Sequence, residues 1–339
     1  MLIRFLCVII SSLLLCSCAK NNIEELTFSS WGSVTETKIL NTIIKDYEKE
    51  NPNIKIKFIH IPQNYFQKIH LLFASSTEPN VIFINNLYLP VYENFLEPLD
   101  EIIDKEEYYK KSIEVLSIND KLLAVPRDIS NFVFYYNKNI LGEIKPDWTF
   151  EEFSNLIKKN TTKDHFSVSY ERDIFQASPY TLTLGFDKGI EFYKNLEGKY
   201  APTPASVGSM TLAQLFLKGK LGLYLSGRWM YPKIKENATF PFGIVAFPGK
   251  VSADASGWAI SKRSKHKEAA KNFVKYLASR KSIDYFVSTG LIIPARKDSA
   301  ESITDRAFID AISKSVVVKT DKNYNKLRDK YNKLIFDNF

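Results

Sequence analysis

Side chains that could do catalytic or metal chemistry are few and scattered along this chain. The three cysteines all lie at its start, so a folded body beyond them has no thiol for disulfides, zinc or nucleophilic attack; they are Cys7, Cys16 and Cys18. The four histidines form no pair with metal-binding spacing on a helix face; they are His60, His70, His165 and His266. Carboxylate pairs such as Glu151-Glu152 fall at predicted helix starts, where they complement the helix dipole. The sequence therefore predicts neither an enzyme nor a metal or cofactor site.

Cys18 has a context that predicts covalent modification. It ends Leu15-Cys16-Ser17-Cys18, directly after an apolar run over 2–15 whose single charge is Arg4. This pattern resembles the lipobox of bacterial lipoproteins, which implies a signal peptide over 1–17 and lipidation of Cys18. An uncleaved membrane anchor is the alternative, but about 14 apolar residues fall short of the roughly 20 that span hydrocarbon. We expect an exported protein, lipid-anchored to the cell membrane and facing the periplasm or cell exterior.

Composition and charge favour a folded body with two domains. A mature chain of about 320 residues is longer than one hydrophobic core usually serves. Apolar residues make up 45% of the chain and aromatic residues 14%, which is enough for two cores. The formal net charge of +8 comes from lysines spread along the chain. This dispersed charge favours an anionic membrane surface, and we expect no nucleic-acid partner because no basic stripe interleaves with aromatic residues.

Hydrophobic periodicity alternates between strand-like runs and amphipathic helices from residue 26 onward, which predicts an α/β fold with buried sheets. Predicted strands cover 26–30, 54–59, 81–84, 122–125, 132–136, 221–225, 242–246 and 257–261. Predicted helices cover 35–50, 65–75, 148–159, 186–196, 210–217, 264–279 and 324–336, and 226–229 begins another. Thr149 is the predicted N-cap of its helix, with Glu152 three residues later. We expect 126–130 to separate two strands and 200–209 to form a long loop.

Short motifs follow one another along the chain in a recognisable order. They are Phe28-Ser29-Ser30-Trp31-Gly32, Tyr47-Glu48-Lys49-Glu50-Asn51-Pro52, 120–128, Tyr135-Tyr136-Asn137-Lys138, 147–153, 216–224, Ser226-Gly227-Arg228-Trp229, 256–262 and Ile293-Pro294-Ala295-Arg296. Together they resemble the bacterial family 1 extracellular solute-binding proteins, the substrate-capturing lipoproteins of ABC importers for sugars and related polyols. The match covers most of 27–296. The chain is shorter than is usual for that family between His165 and Tyr200 and again after Arg296.

The resemblance implies a two-lobed α/β fold of the periplasmic-binding-protein type, class II, with a ligand cleft between lobes joined by multiple hinge crossings. One lobe would comprise 22–127 plus 257–297, and the other 128–256 plus 298–339. Crossings are expected near Asp128, 254–257 and 296–300, and the lobes would close over a solute about them. The closed form would then be recognised by ABC transporter permease subunits. We expect a monomer.

The resemblance also implies which residues face the solute. Aromatic rings pack against the C–H face of a sugar, while amides, carboxylates and arginines bond its hydroxyls. The predicted stacking surfaces are Trp31, Tyr88, Trp229 and Trp258. The predicted hydrogen-bonding residues are Asn85, Asp128, Arg228 and Arg296. Core packing is the alternative for each tryptophan, a turn after Pro126 for Asp128, and a helix cap or ion pair for Arg228. Trp148 is assigned to helix packing.

The resemblance implies a carbohydrate or related polyol as the ligand. A phosphorylated polyol such as glycerol phosphate is the alternative, because Arg228 and Arg296 could form a phosphate clamp. Outside the family, a surface-anchored glycoside hydrolase would need two carboxylates roughly 5 to 9 Å apart in its cleft. A structural or host-contacting lipoprotein would instead have its cleft filled by side chains.

Overall fold

Two β-sheets covered by helices organise the chain into two lobes. The computed structural model describes residues 23–336, so the predicted signal peptide over 1–17 and Cys18 lie outside the described residues. The strands are β1 (Glu24–Ser30), β2 (Ile54–His60), β3 (Val81–Asn85), β4 (Ser117–Ile118), β5 (Lys121–Leu122), β6 (Val125–Ser130), β7 (Val133–Asn137), β8 (Phe166–Val168), β9 (Leu221–Ser226), β10 (Phe242–Ala246), β11 (Val251–Ile260) and β12 (Ser315–Val317).

The helices lie between these strands and after them. They are α1 (Val34–Glu50), α2 (Tyr65–Ala74), α3 (Leu89–Tyr92), α4 (Lys110–Val115), α5 (Lys138–Leu141), α6 (Phe150–Asn160), α7 (Ile174–Leu184), α8 (Phe186–Lys194), α9 (Pro204–Val207), α10 (Leu212–Leu217), α11 (Tyr231–Asn237), α12 (Lys267–Leu277), α13 (Arg280–Ser288), α14 (Lys297–Ala300), α15 (Arg306–Lys314) and α16 (Tyr324–Phe336). Across residues 23–336, no helix has both the length and the apolar character needed to cross a bilayer.

The larger sheet brings several strand ends to one edge. Its strand order is β12-β11-β3-β1-β2, and β6 also pairs with β11. β1 runs parallel to β2 and β3, while β11 runs antiparallel to β3 and β6. Because parallel strands finish on the same side of a sheet, Ser30 and Asn85 end β1 and β3 at one edge. Ligands collect at such carboxyl ends in α/β sheets.

Helix α1 fixes one side of that edge. Ser33 and Glu36 form a reciprocal capping box, in which the Ser33 side chain accepts from the Glu36 amide and Glu36 accepts from the Ser33 amide. Ile39, Ile43 and Tyr47 lie on its buried face, in one apolar cluster with residues of β1, β3 and α12. The start of α1, just after Trp31, is therefore held against the end of β1.

The smaller sheet, with strand order β10-β7-β9-β8, supports the second lobe. The predicted cap of α6 is confirmed, since Thr149 and Glu152 form a capping box. Trp148 packs edge-on against Phe134 and Phe153, and its Nε1 donates to the carbonyl of Ala246 at 2.9 Å. Trp148 is thus a core residue beside α6, as the sequence predicts.

Three features of the fold differ from the sequence prediction. Residues 126–130 form part of strand β6 instead of separating two strands, because β11 supplies a long-range pairing partner. Strand β11 begins at Val251, six residues before its predicted start. Among helices of nine or more residues, α7, α13 and α15 were not predicted; α7 contains Pro179, which normally ends a helical pattern. The short helices α3, α4, α5, α9 and α14 were not predicted either, and α9 lies within the predicted long loop over 200–209.

A β-bulge shapes the place where β6 crosses β11. Ser256 pairs with Asp128, but Gly257 pairs with Pro126, which leaves Arg127 as the extra residue. A bulge turns the extra side chain out of the normal alternation, so Arg127 and Asp128 can meet on one face. Gly257 lies tightly against the bulge, because a Cβ there would come within 2.2 Å of the Val125 carbonyl oxygen.

We therefore expect Gly257→Ala to destabilise the protein strongly. The added methyl must push β6 away from β11, and overpacking of this kind costs about 1–3 kcal/mol. Chemical denaturation measures the free energy of unfolding, with Ser256→Ala on the same strand as the control expected to change it by less than about 0.5 kcal/mol. Equal stability of Gly257→Ala and Ser256→Ala would contradict the close approach of the two strands.

Candidate functional site

A cavity of about 280 Å³ lies where the strand ends of the larger sheet meet the second lobe. The first lobe supplies the residues that follow β1 and β3, and the second supplies the segment after β9. Strands β6 and β11 form the floor between them. The residues that line the cavity are Trp31, Glu36, Asn85, Asn86, Leu87, Arg127, Asp128, Ile129, Ser130, Asn131, Phe132, Phe175, Arg228, Trp229, Asp254, Ala255, Ser256, Leu291, Ile292 and Ile293.

Strand register places polar residues side by side on the cavity floor. Asn85 at the end of β3 pairs with Ser256 of β11, and Ser256 pairs in turn with Asp128 of β6. Two residues before Ser256 on β11, Asp254 pairs with Ser130 of β6. The pairing thus aligns Asn85, Ser256 and Asp128 across three adjacent strands, so residues distant in sequence line the same cavity.

Arg127 links two carboxylates in this floor. Its Nε donates to Asp128 Oδ2 at 2.7 Å and its Nη1 donates to Glu36 Oε1 at 3.1 Å. The guanidinium also lies 4.2 Å from the ring centroid of Phe83. All three charged side chains are largely buried. One cation therefore holds both carboxylates in fixed positions, and the start of α1 is tied to β6.

Burial acts on the two floor aspartates in the same direction. Burial raises the pKa of Asp128, although the Arg127 guanidinium opposes that change. Burial also raises the pKa of Asp254, and hydrogen bonds donated by Asn86 at 3.0 Å and Ser252 at 2.9 Å oppose it only in part. Both carboxyl groups hold protons more tightly than an exposed aspartate does.

Two buried polar side chains on the cavity wall have atoms without hydrogen-bond partners. Within residues 23–336, Nε and Nη1 of Arg228 and both amide atoms of Asn131 make no hydrogen bond. Arg228 rests on aromatic rings instead, 4.7 Å from the centroid of Phe308 and 5.2 Å from that of Tyr231. Burial lowers the pKa of Arg228. Unpaired buried polar groups cost free energy, so these two side chains indicate a ligand that supplies the missing bonds.

Two tryptophans offer ring faces at the cavity. Trp229 is 46% exposed and meets the ring of Phe132 edge-on at 6.4 Å. Its position needs Gly227, because a Cβ on residue 227 would lie 1.9 Å from the Trp229 ring. Trp31 is half-buried and is held by the rings of Tyr65 at 4.9 Å and Phe83 at 4.3 Å. One ring comes from each side of the cleft.

The structure brings together five of the eight predicted ligand-binding residues. These five line the cavity: Trp31, Asn85, Asp128, Arg228 and Trp229. Asn85 Oδ1 also accepts from the Tyr88 amide at 3.1 Å. Asp128 is an ion-pair partner within strand β6, and Arg228 follows β9 in the 3-10 turn Arg228–Met230.

The other three predicted residues lie elsewhere. Trp258 is 1% exposed in the core beneath the larger sheet, because its position on β11 faces α12. Tyr88 stacks on Phe66, with ring centroids 3.6 Å apart. Arg296 donates to Asp298 at 3.0 Å and to Glu107 at 2.8 Å, so its guanidinium is engaged away from the cavity.

Sequence reasoning missed Glu36, Arg127, Asn131 and Asp254 as cavity residues. Adjacent opposite charges in the otherwise apolar strand around Arg127 and Asp128 were a usable signal. Asn131 carried a weaker one, as a polar residue between the apolar runs of β6 and β7. Over residues 23–336 no three histidine, cysteine or carboxylate side chains converge on a metal position. The arrangement suits reversible binding of a hydroxyl-rich molecule, with hydrogen-bonding groups between two ring faces.

Comparisons with known proteins agree with this geometry. A family model described as bacterial extracellular solute-binding protein matches residues 31–283. A galactooligosaccharide-binding protein of Bacillus subtilis is 25% identical over 337 residues, covering 85% of this chain and 79% of the relative. A multiple sugar-binding protein of Streptococcus mutans is 24% identical over 350 residues, covering 82% and 78%. An ABC substrate-binding protein from Listeria monocytogenes in complex with cycloalternan has a TM-score of 0.82 at 20% identity, covering 93% of this chain and 94% of that one. These matches confirm the expected two-lobed fold.

We expect Asp254→Asn to stabilise the unliganded protein at neutral pH. The pKa of Asp254 is higher in the folded state than in the unfolded state, so ionisation of Asp254 destabilises the folded protein, fully so above the folded-state pKa. This destabilisation disappears as the pH falls to the unfolded-state pKa. The melting temperature should therefore rise by roughly 1–3 °C at pH 7 and should not change at pH 3.5. The exposed Asp164→Asn removes the same charge at the surface and serves as the control, with a smaller change in melting temperature expected at pH 7. A gain of the same size at both pH values would argue against the burial effect.

Proposed function

The chain belongs to the bacterial extracellular solute-binding proteins, and from this we propose that it captures a carbohydrate or related polyol for an ABC importer. Proteins of this family bind solutes and are not enzymes. The observation that carries the proposal is the cavity wall, where the unpaired Arg228 and Asn131 lie beside the exposed ring of Trp229. The names of the Bacillus and Streptococcus relatives support a sugar as the ligand class.

In the proposed complex, a sugar ring packs its C–H face against Trp229, with Trp31 on the opposite side of the cleft. Hydroxyl groups accept from Arg228 and Asn131 and donate to the carboxylates of Asp128 and Asp254. A cavity of about 280 Å³ is close to the lower end of the roughly 300–1,000 Å³ typical of small-molecule sites. We propose a mono- or disaccharide-sized occupant in this form.

Closure is proposed to occur between the lobes as expected, 22–127 plus 257–297 against 128–256 plus 298–339. Strands β6 and β11 cross next to each other at Asp128 and Ser256, where a small rotation would change the distance between Trp31 and Trp229. A ligand that touches both lobes stabilises the closed form because it adds contacts that the open form lacks. The permease would bind this closed form, and the lipid on Cys18 would keep the protein at the membrane.

The observed contacts weigh against the other ligand and function classes. The two-arginine phosphate clamp is not assembled, because Arg296 is paired with Asp298 and Glu107 while Arg228 lines the cavity. A glycoside hydrolase is disfavoured because the matched family consists of solute-binding proteins, and because the neighbouring carboxylates of Glu36 and Asp128 are both bonded to Arg127. A non-binding structural protein would have a filled cleft, whereas this one retains an open cavity.

A thermal-shift screen of the purified protein against sugars, polyol phosphates and polyamines tests the proposal. A ligand that binds only the folded state raises the melting temperature. We expect neutral sugars to give the largest shifts. Shifts confined to polyol phosphates would favour the phosphorylated ligand, and shifts confined to polyamines would contradict the carbohydrate proposal.

We expect Trp229→Ala to remove most of the shift given by the best sugar. Its ring face is exposed to the cavity, so truncation removes stacking while the unliganded melting temperature changes little. Calorimetric titration should show an affinity at least about tenfold weaker, equivalent to the loss of roughly 1.4 kcal/mol. Leu71→Ala, an exposed apolar residue on α2 outside the cavity, is the matched control. Unchanged sugar affinity in Trp229→Ala would remove this ring from the site.

Arg228→Met should change affinity and stability in opposite directions. Methionine keeps the apolar contacts with Phe308 and Tyr231 but removes a buried cation whose Nε and Nη1 lack hydrogen-bond partners within residues 23–336. We expect an unliganded melting temperature equal to or above that of the parent, with sugar affinity weakened at least about tenfold. A lower melting temperature with unchanged affinity would show that Arg228 is structural.

A further inference from the structure

A second cavity, of about 340 Å³, lies next to the ligand cleft between α7 and α16. We call it the side groove, defined by Ile174, Leu182 and Phe186 on one wall and Tyr324, Leu327 and Tyr331 on the other. The rings of Phe186 and Tyr331 meet edge-on at 6.2 Å. The side groove is lined mainly by carbon, in contrast with the polar floor of the cleft.

The side groove shares part of its wall with the ligand cleft. Leu87, Phe175 and Asp254 line both cavities. Leu87 follows β3 and Phe175 lies in the first turn of α7, so the junction is formed by both lobes. A molecule whose polar part occupies the cleft can therefore extend past these residues into the side groove.

Apolar surface is concentrated at this place. Among residues 23–336, ten large apolar side chains are more than a third exposed, and four of them line the side groove: Phe186, Val318, Leu327 and Tyr331. A contiguous exposed apolar patch on a soluble domain marks a binding site, because its contact with water is unfavourable. The buried hydroxyl oxygen of Ser178, on the same wall, has no hydrogen-bond partner within the described chain.

The walls of the side groove are held by specific polar contacts. Arg328 of α16 forms an ion pair with Asp173, which caps α7. The amide of Ile174 donates to Asn332 Oδ1 at 2.8 Å. Asn325 Nδ2 donates to the carbonyl of Leu87 at 3.4 Å, which fixes α16 to the junction with the cleft. The side groove is thus a built feature of the fold and not a gap between loosely packed helices.

We infer that the side groove binds an apolar substituent of the ligand, such as an alkyl or aryl aglycone, while the sugar part lies in the cleft. This inference rests on the proposed carbohydrate function and narrows it to amphiphilic glycosides. Its physical basis is the shared wall at Leu87, Phe175 and Asp254, since it places an apolar cavity within reach of a sugar bound to Trp229. Sugar specificity would then depend on the cleft, and much of the affinity on the substituent.

Calorimetric titration of methyl, butyl and hexyl β-D-glucopyranosides and β-D-galactopyranosides tests the inference. Each fully buried methylene strengthens binding about fourfold. Because the side groove is open along one side, we expect the hexyl glycoside to bind at least about tenfold more tightly than the methyl glycoside. Equal affinity of methyl and hexyl glycosides would overturn the inference and leave the proposed function intact. Failure of every glycoside in the series to bind would overturn the inference for these sugars, whereas the proposed function is tested separately by the thermal-shift screen.

A matched pair of variants locates the apolar chain. Leu327→Glu places a charge on the wall of the side groove, whereas Leu334→Glu makes the same change farther along α16, outside that wall. We expect Leu327→Glu to abolish the gain from methyl to hexyl without changing methyl glycoside affinity, and Leu334→Glu to retain the gain. An unchanged gain in Leu327→Glu would overturn the inference. Leu327→Glu could instead lose binding to anionic phospholipid vesicles while its glycoside affinities stay unchanged. That result would show that the side groove contacts the membrane, and it would also overturn the inference.

Discussion

The guanidinium of Arg127 neutralises two carboxylates that the chain brings to one place from α1 and β6. Without it, Glu36 and Asp128 would be like charges in a largely buried site, which is an unfavourable arrangement. The bulge opposite Gly257 makes the contact geometrically available, because Arg127 is the extra residue that leaves the strand alternation. The end of β1, the start of α1 and the strand crossing are therefore fixed relative to one another. Asn85, Ser256 and Asp128 form the cleft floor on this fixed base.

Local sequence pattern accounts for most strands, for most of the longer helices, and for the residues at strand ends. Trp31 follows β1 and Asn85 ends β3, and these parallel strands finish at one edge of the larger sheet, so their convergence was predictable. Trp229 follows β9 of the smaller sheet and reaches the same cavity from the second lobe. Trp258 was not distinguishable in the same way, because a tryptophan among small residues on a strand is equally compatible with either face. Arg296 has Asp298 two residues away as a visible partner, but its second partner, Glu107, is distant in sequence. Roles that depend on long-range pairing, such as that of Arg127 with Glu36, could not be derived from spacing alone.

The cleft contains two kinds of polar side chain: those that already have hydrogen-bond partners in the protein and those with atoms that lack them. Carboxylates on the floor already have partners: Asp128 bonds Arg127, and Asp254 accepts from Asn86 and Ser252. On the wall, Nε and Nη1 of Arg228 and both side-chain amide atoms of Asn131 lack hydrogen bonds within residues 23–336. Partnered groups keep their geometry whether or not a ligand is present, which reduces the ordering cost of binding. Unpartnered groups gain the most from a ligand, so they discriminate strongly against molecules that cannot bond them.

The last described segment of the chain connects both lobes beside this cleft. Thr320 donates to the carbonyl of Asn86 and Asn325 to that of Leu87, in the loop after β3, whereas Arg328 pairs with Asp173 at the start of α7. Relative motion of the lobes must either move α16 with one of them or break one set of these contacts. The contacts to Asn86 and Leu87 are two neutral hydrogen bonds, while the contact to Asp173 is a charged pair reinforced by Asn332. Charged bonds are the stronger kind. In the proposed closure, helix α16 would therefore move with α7, and the loop of Asn86 and Leu87 would be the place where the two lobes separate when the cleft opens.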